Sequence, residues 1–363
     1  MRFIYSKWDE SIIEQLRQMR DLMSIFNYLL LQVNGNVKMA LQIMEQLKRM
    51  GYLPKDSDLE EFKRNLEENQ IISVNPTGTS LTRKGERSLR KDSFDKIFDQ
   101  LKSSAGGRHP IPREGGSSEE ILPERKKYSY GDNLRNIDFR SSLLNNISRT
   151  ADLGLNMEED DLEVYETEQA TNCSTVLLID ISHSMILYGE DRITPAKQVA
   201  MAFTEMILTR FPKDTLSVVL FGDFAQEIKI KDLPYVGVGP YHTNTKAGLQ
   251  MARQILLRRK STNKQIFMIT DGKPSMINRS DGSIYKNPFG LDPIVVNRTL
   301  DEAIICRKKK IPITTFMIAE DPYLQQFVQK LTELNHGRAY FASAQNLGEY
   351  VFWDFLKHRR KAS

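Results

Sequence analysis

Cysteine is nearly absent: only Cys173 and Cys306 occur in 363 residues. Neither stands at a metal-ligand spacing such as C-x-x-C, and two distant thiols make no disulfide framework, which fits a reducing compartment. Long apolar runs are missing too. The longest, such as Tyr28-Leu29-Leu30-Leu31, fall far short of the roughly 20 residues that span a bilayer. Met1 to Glu10 contain no apolar segment of the kind that leads a secreted chain, so the expected location is the cytoplasm, with no membrane contact. The phosphate loop G-x-x-x-x-G-K-[ST] and the nucleophile elbow G-x-S-x-G are both absent. No nucleophile has an evident base beside it, so the expected class is non-enzymatic. Excess charge of one sign is also lacking. A net +4 at pH 7 does not mark a nucleic-acid-binding chain. The basic runs Arg258-Arg259-Lys260, Arg307-Lys308-Lys309-Lys310 and Lys357-His358-Arg359-Arg360-Lys361 are expected near helix C-termini, where cations meet the negative end of the dipole.

What is present describes a globular chain of two or three domains, with 40% hydrophobic and 27% charged residues. Ile12, Ile13, Leu16, Met19, Met23, Phe26 and Leu30 recur at helical steps. Asn34-Gly35-Asn36 breaks that helix. A second runs through Met39, Leu41, Ile43, Met44 and Leu47 to a stop at Gly51, and Asp58 caps a third that ends near Glu68. Ile71 to Val74 reads as a strand and Asn75 to Thr79 as a turn, followed by Leu81-Thr82-Arg83-Lys84-Gly85-Glu86. Residues 1–102 are thus expected to form a helical domain. Its order of helices and hairpin resembles the end of a winged helix, and a helical interaction domain without a wing fits equally. Glycine, serine and proline then suggest a flexible linker over 103–127, and 128–172 reads as a polar connecting segment with an acidic stretch from Asp160 to Glu168.

From residue 173 to 363 the pattern is regular. Thr175 to Ile179 is a continuous apolar run, as in a strand buried on both faces. A helix from about Thr194 to Phe211 follows, with Pro195 in its first turn. Strands at 216–221, 265–270, 313–318 and 338–341 alternate with helices at 243–259, 300–309, 323–335 and 346–358. That alternation predicts an α/β domain with a doubly wound, mostly parallel sheet.

Ligands of such sheets bind beyond the C-terminal ends of the strands. Three polar clusters fall there. Asp180-Ile181-Ser182-His183-Ser184 ends the first strand, Gly237 to Thr245 opens a helix, and Thr270-Asp271-Gly272 ends a later strand. Two carboxylates and several hydroxyls offer hard oxygen donors and no thiolate, which suits Mg²⁺ or Mn²⁺. Together the clusters resemble the metal-ion-dependent adhesion site of von Willebrand factor type A (vWA) domains, over roughly residues 174–356. The resemblance implies a Rossmann-like fold, with Ser182, Ser184 and Thr243 facing the ion through hydroxyls. Asp180 and Asp271 would act largely through water, and Thr245 would cap or support the helix. It also implies an open coordination position for an acidic residue of a protein partner. Aspartate-based phosphotransferases place a second Asp two residues after the first, where this chain has Ser182. With no secretion signal, the chain is most similar to bacterial cytoplasmic proteins that pair a vWA domain with an AAA-type ATPase of the MoxR or magnesium-chelatase class. The expected role is a Mg²⁺-dependent adaptor in complex assembly or metal insertion; the alternatives are a transcriptional or protein-binding regulator acting through the N-terminal domain, and a metal-dependent hydrolase.

Overall fold

The computed structural model describes residues 21–359 apart from 54–56, 77, 105–120, 130–136, 151–156, 168–171, 190, 240, 280, 288, 319–320 and 344–345. The expected apolar stripe at Ile12, Ile13, Leu16 and Met19 lies outside them.

Three helices open the described chain: α1 (Leu22–Gln32), α2 (Val37–Arg49) and α3 (Leu59–Glu68). Asp21, Asn36 and Asp58 cap them, each accepting from a backbone N–H in the first turn. Asn34 and Gly35 both take positive φ, which turns the chain between α1 and α2. Strands β1 (Ile72–Asn75) and β2 (Gly78–Leu81) pair antiparallel, and α4 (Arg83–Ser104) follows. Three helices and a hairpin are the elements the sequence predicted for this region.

The linker expected over 103–127 needs correction at both ends. Residues 103–104 belong to α4, and β3 (Ile121–Lys127) pairs antiparallel with β4 (Glu163–Thr167). Pro123 does not prevent this, because the register shifts between Ile121 and Arg125, and such an irregularity tolerates a residue without an N–H. The acidic stretch before the α/β domain thus supplies a strand. Between these strands lies α5 (Phe139–Thr150). It turns Ser141, Ser142 and Asn146 inward and leaves Phe139, Leu143 and Leu144 exposed. Ion pairs hold the unit together: Arg125 to Asp138 at 3.0 Å, and Arg149 to Asp161 at 2.9 Å.

The α/β domain comprises β5 (Cys173–Asp180), α6 (Ile193–Arg210), β6 (Thr215–Phe221), β7 (Ala225–Ile228), α7 (Thr245–Leu257) and β8 (Asn263–Thr270). A small hairpin, β9 (Met276–Asn278) and β10 (Ile284–Lys286), follows. The chain then forms α8 (Pro293–Lys308), β11 (Ile313–Met317), α9 (Pro322–Asn335), β12 (Arg338–Phe341) and α10 (Leu347–Arg359). The sheet order is β12-β11-β8-β5-β6-β7, parallel except for the edge strand β7. All eight residues of the central strand β5 are buried. One face of the sheet packs on α7, α8 and α9. The other packs on α6 and α10 in a core that continues into α1 to α4. Phe94 of α4 meets Phe352 of α10, and Phe352 meets Phe203 of α6. Arg90 reaches Glu205 at 3.1 Å. The basic runs do fall at helix ends, with Arg258 and Lys309 as the C-caps of α7 and α8. No helix among the described residues is long and apolar enough to cross a membrane.

Candidate metal centre

Parallel strands deliver their C-terminal ends to one edge of the sheet, so β5, β6 and β8 bring three loops to a single place. Asp180 is the last residue of β5, and Asp271 follows the last residue of β8. The register that sets Ile179 beside Ile269 places Asp180 next to Thr270. Thr270 Oγ1 donates to Asp180 Oδ2 at 2.6 Å and accepts from the Gly272 amide at 3.0 Å. The Ser182 amide donates to Asp180 Oδ1 at 2.9 Å. Ser182 Oγ and Ser184 Oγ lie 3.0 Å apart, and the Ser184 hydroxyl bonds Asp271 in turn. A continuous hydrogen-bonded chain therefore joins four of the five residues singled out in the sequence.

The fifth, Thr243, enters through its backbone. Its amide donates to Ser275 Oγ at 3.0 Å, and its carbonyl accepts from the Ser275 amide at 3.0 Å. The third loop is thereby tied to the segment that follows Asp271. Thr245 does not cap α7. Asn244 does, with its side chain accepting from the Ala247 amide at 3.1 Å. Asparagine reaches the first-turn amides and ranks among the strongest N-caps, so the cap falls one residue earlier and leaves Thr243 outside the helix. Gly272 holds φ +90, and a Cβ there would come within 3.2 Å of Met317 Cε. Glycine thus lets the chain turn away from the end of β8 against α9.

Asp180, Ser182, Thr243 and Asp271 are buried, and Ser184 is half-buried. Burial pushes the Asp180 carboxyl up to about 7, and the neighbouring Asp271 adds to it. Burial also raises Asp271, against the opposing pull of Ser184, the Lys273 amide, Arg192 and Lys273. Two buried carboxylates side by side are an unfavourable arrangement unless a cation offsets them. Among the described residues no three His, Cys, Asp or Glu side chains gather at one point. The additional donors here are hydroxyls, and an all-oxygen set of two carboxylates and the two serine hydroxyls, with Thr243 beside them, fits a hard divalent ion such as Mg²⁺ or Mn²⁺.

The two histidines nearby are tied to the frame. The His183 amide donates to the Tyr241 carbonyl at 3.1 Å. His242 donates its amide to Asp223 Oδ1 at 2.6 Å, and its ring Nδ1 lies 3.2 Å from the same atom. Asp223 also receives Lys286 Nζ at 3.1 Å. Sequence reasoning missed Thr270 as the partner of Asp180, Asn244 as the cap, and Ser275 and Asp223 as supports. Thr270 was detectable from its place beside Asp271 at a strand end. Ser275 and Asp223 were not, because only the crossing of loops makes them neighbours of Thr243 and His242.

Residues 173–356 match the family described as Rv0959-like protein, vWA domain, and residues 120–167 match the third domain of the same family. The chain belongs to the Rv0959-like vWA family. Its similar curated proteins include the uncharacterized protein Rv0959 of Mycobacterium tuberculosis and the uncharacterized protein Mb0984 of Mycobacterium bovis. Each is 26% identical over 288 residues, which is 77% of this chain and 42% of the relative. The chain thus spans less than half the length of the curated relatives it matches. Among solved structures it is similar to the pilus adhesin SpaC of Lactobacillus rhamnosus GG, with a TM-score of 0.44 and 17% identity over 55% of this chain and 32% of that one. It is also similar to BatB of Bacteroides thetaiotaomicron, with a TM-score of 0.39 and 11% identity over 52% of this chain and all of that one. Likeness at these scores decides nothing by itself. The third-domain match coincides with the unit built from β3, α5 and β4, and the vWA match begins at the first residue of β5.

Proposed function

We propose that the vWA domain holds one Mg²⁺ or Mn²⁺ and uses it to capture a protein partner. The observation that supports this reading is the buried pair Asp180 and Asp271, surrounded by hydroxyl donors at the strand ends. Ser182, Ser184 and Thr243 would supply hydroxyl oxygens, with Asp180 and Asp271 acting largely through water. The bound ion would supply electrophilic character toward an incoming carboxylate. Few direct carboxylates keep it electrophilic, and Mg²⁺ readily retains exchangeable waters that a partner's Asp or Glu can replace. The N-terminus of α7 beside Thr243 adds a positive dipole end. We assign the chain no catalytic step. It is an adaptor, placed in the cytoplasm, and its partner is an AAA-type ATPase of the MoxR or magnesium-chelatase class in complex assembly or metal insertion. The ATPase partnership rests on the family resemblance, and the metal-bridged capture on the donor set.

Titration calorimetry tests the metal. Wild-type chain is expected to bind one Mg²⁺ and Asp180→Ala none; equal affinity in both would remove the assignment. Partner capture is tested separately by co-purification with a candidate ATPase. Binding should vanish in EDTA, return with Mg²⁺, and be lost in Ser182→Ala/Ser184→Ala. A complex equally stable in EDTA would show that the domain is recognised through another face.

A further inference from the structure

Lys197 is fully buried on α6, where an ammonium is costly unless its donors are met. A lysine has three donors, and three acceptors surround this one. They are the Leu31 carbonyl near the end of α1, Asn34 Oδ1 at 2.9 Å in the turn after it, and the Val236 carbonyl at 2.9 Å. Two acceptors therefore belong to the N-terminal helices, and the third belongs to the segment that leads to Thr243.

The two segments also touch each other directly. A Cβ on Gly35, which holds φ +75, would overlap the Tyr235 ring, and a Cβ on Gly237 would come within 3.1 Å of Asn34 Nδ2. The Asn34-Gly35 turn thus presses on Tyr235 to Gly237, with Lys197 fastening both. Leu233, fully buried, anchors the start of this segment in the shared core.

Thr243 follows Val236 by seven residues, and the stretch between is closely packed. A Cβ on Gly239 would overlap the Tyr241 ring, and the Tyr241 carbonyl accepts the His183 amide of the D-x-S-x-S loop at 3.1 Å. The start of α6 is tied to that same loop. The Arg192 amide donates to the Met185 carbonyl, and the Met185 amide to the Ser182 carbonyl, both at 3.1 Å. Lys197 thus stands on a helix bound to one loop of the metal centre and holds the segment that leads to another.

We propose that Lys197 is a positioning residue for the metal centre: through it the Asn34-Gly35 turn holds the Thr243 loop, so that docking of the N-terminal helices and metal binding favour each other. The inference rests on the reading of Thr243 as a metal ligand and adds the N-terminal region to the device. Coupling of this kind is reciprocal, so bound Mg²⁺ also tightens the contact between the turn and the loop.

Hydrogen exchange and Mg²⁺ calorimetry on the full chain test it. Lys197→Met keeps the bulk and removes the donors. Asn34→Gly removes one acceptor and still accepts the positive φ of that position, so it carries the test if Lys197→Met does not fold. In metal-free buffer, amides of residues 236–245 should exchange about tenfold faster or more in both variants, as for a segment whose local opening has become easier. The Kd for Mg²⁺ should rise by about the same factor. Arg90→Ala breaks the α4–α6 ion pair away from this turn; it should lower Tm and leave loop exchange and Mg²⁺ affinity at their wild-type values. Wild-type exchange and Mg²⁺ affinity in both variants would overturn the proposal, as would a loosened loop that binds Mg²⁺ as tightly as before; either leaves the metal reading intact. An Arg90→Ala chain that loses Mg²⁺ affinity as far as the other two would overturn it by making the effect one of general destabilisation. Failure of the wild-type chain to bind Mg²⁺ would overturn both readings.

Discussion

Burial and the neighbouring Asp271 raise the Asp180 carboxyl from its ordinary 3.8 to about 7. Between those values the folded chain binds a proton that the unfolded chain has released. In EDTA the stability that the protonated Asp180 contributes is therefore fully present below its ordinary pKa and is lost as pH rises toward its raised value. Thermal melts should show Tm falling across that window in the wild type and a flatter curve in Asp180→Asn, whose amide cannot ionise. Saturating Mg²⁺ should flatten the wild-type curve as well; parallel curves for the two chains in EDTA would contradict the charge-pair account. Lys197 is the second buried charge of note. It lies fully buried on α6 and donates to the Leu31 carbonyl, to Asn34 Oδ1 at 2.9 Å and to the Val236 carbonyl at 2.9 Å. Burial pulls its ammonium down to about 8, and Asp191 opposes the shift. Lys197→Met strips three acceptors of a shared donor. It should cost about 1–3 kcal/mol in urea unfolding, the usual penalty for a buried polar group left unmatched.

The elements differ in how far local sequence fixes them. Strand β5 and helix α6 follow their apolar patterns, and Asp58 caps the helix its position suggests. Helix α8 does not. Its start was expected near Leu300, yet Asp292 caps it and Pro293 opens it. The β-branched Ile294-Val295-Val296 favours a strand locally, and packing of Val295 and Leu300 into the core overrides that preference. The short strands β7, β9 and β10 carry three or four residues each, too few for periodicity to register. Helix α7 ties an element to the site, because its cap stands beside Thr243. Asn244→Ala should lower stability by about 1 kcal/mol, the typical worth of an N-cap. It should also weaken Mg²⁺ binding by freeing the Thr243 loop. Unchanged Mg²⁺ affinity in calorimetry would show that the cap does not position Thr243.

At the scale of the molecule, one core runs from the N-terminal helices through α6 and α10 to the sheet. Phe94, Arg90 and the acceptors of Lys197 all cross from the helical region to the α/β domain. The chain should therefore unfold in calorimetry with α1 to α4 and the vWA domain in a single transition. A fragment of residues 173–363, with the outer faces of α6 and α10 bared, should melt at a lower temperature. A fragment as stable as the full chain would show that the shared core adds no stability.

The sequence by itself determined the α/β class, the mostly parallel character of the sheet, and the polar loops that follow its strands. Those features are written in local patterns: buried apolar runs, caps, and polar residues placed where a parallel sheet ends. It also gave the three helices and hairpin of the N-terminal region. Only the tertiary structure decided that those helices continue the core of the vWA domain, that Lys197 is buried between them, and that residues 121–127 form a strand. Each of these depends on contacts between segments far apart in the chain, and neither periodicity nor spacing records which distant surfaces meet.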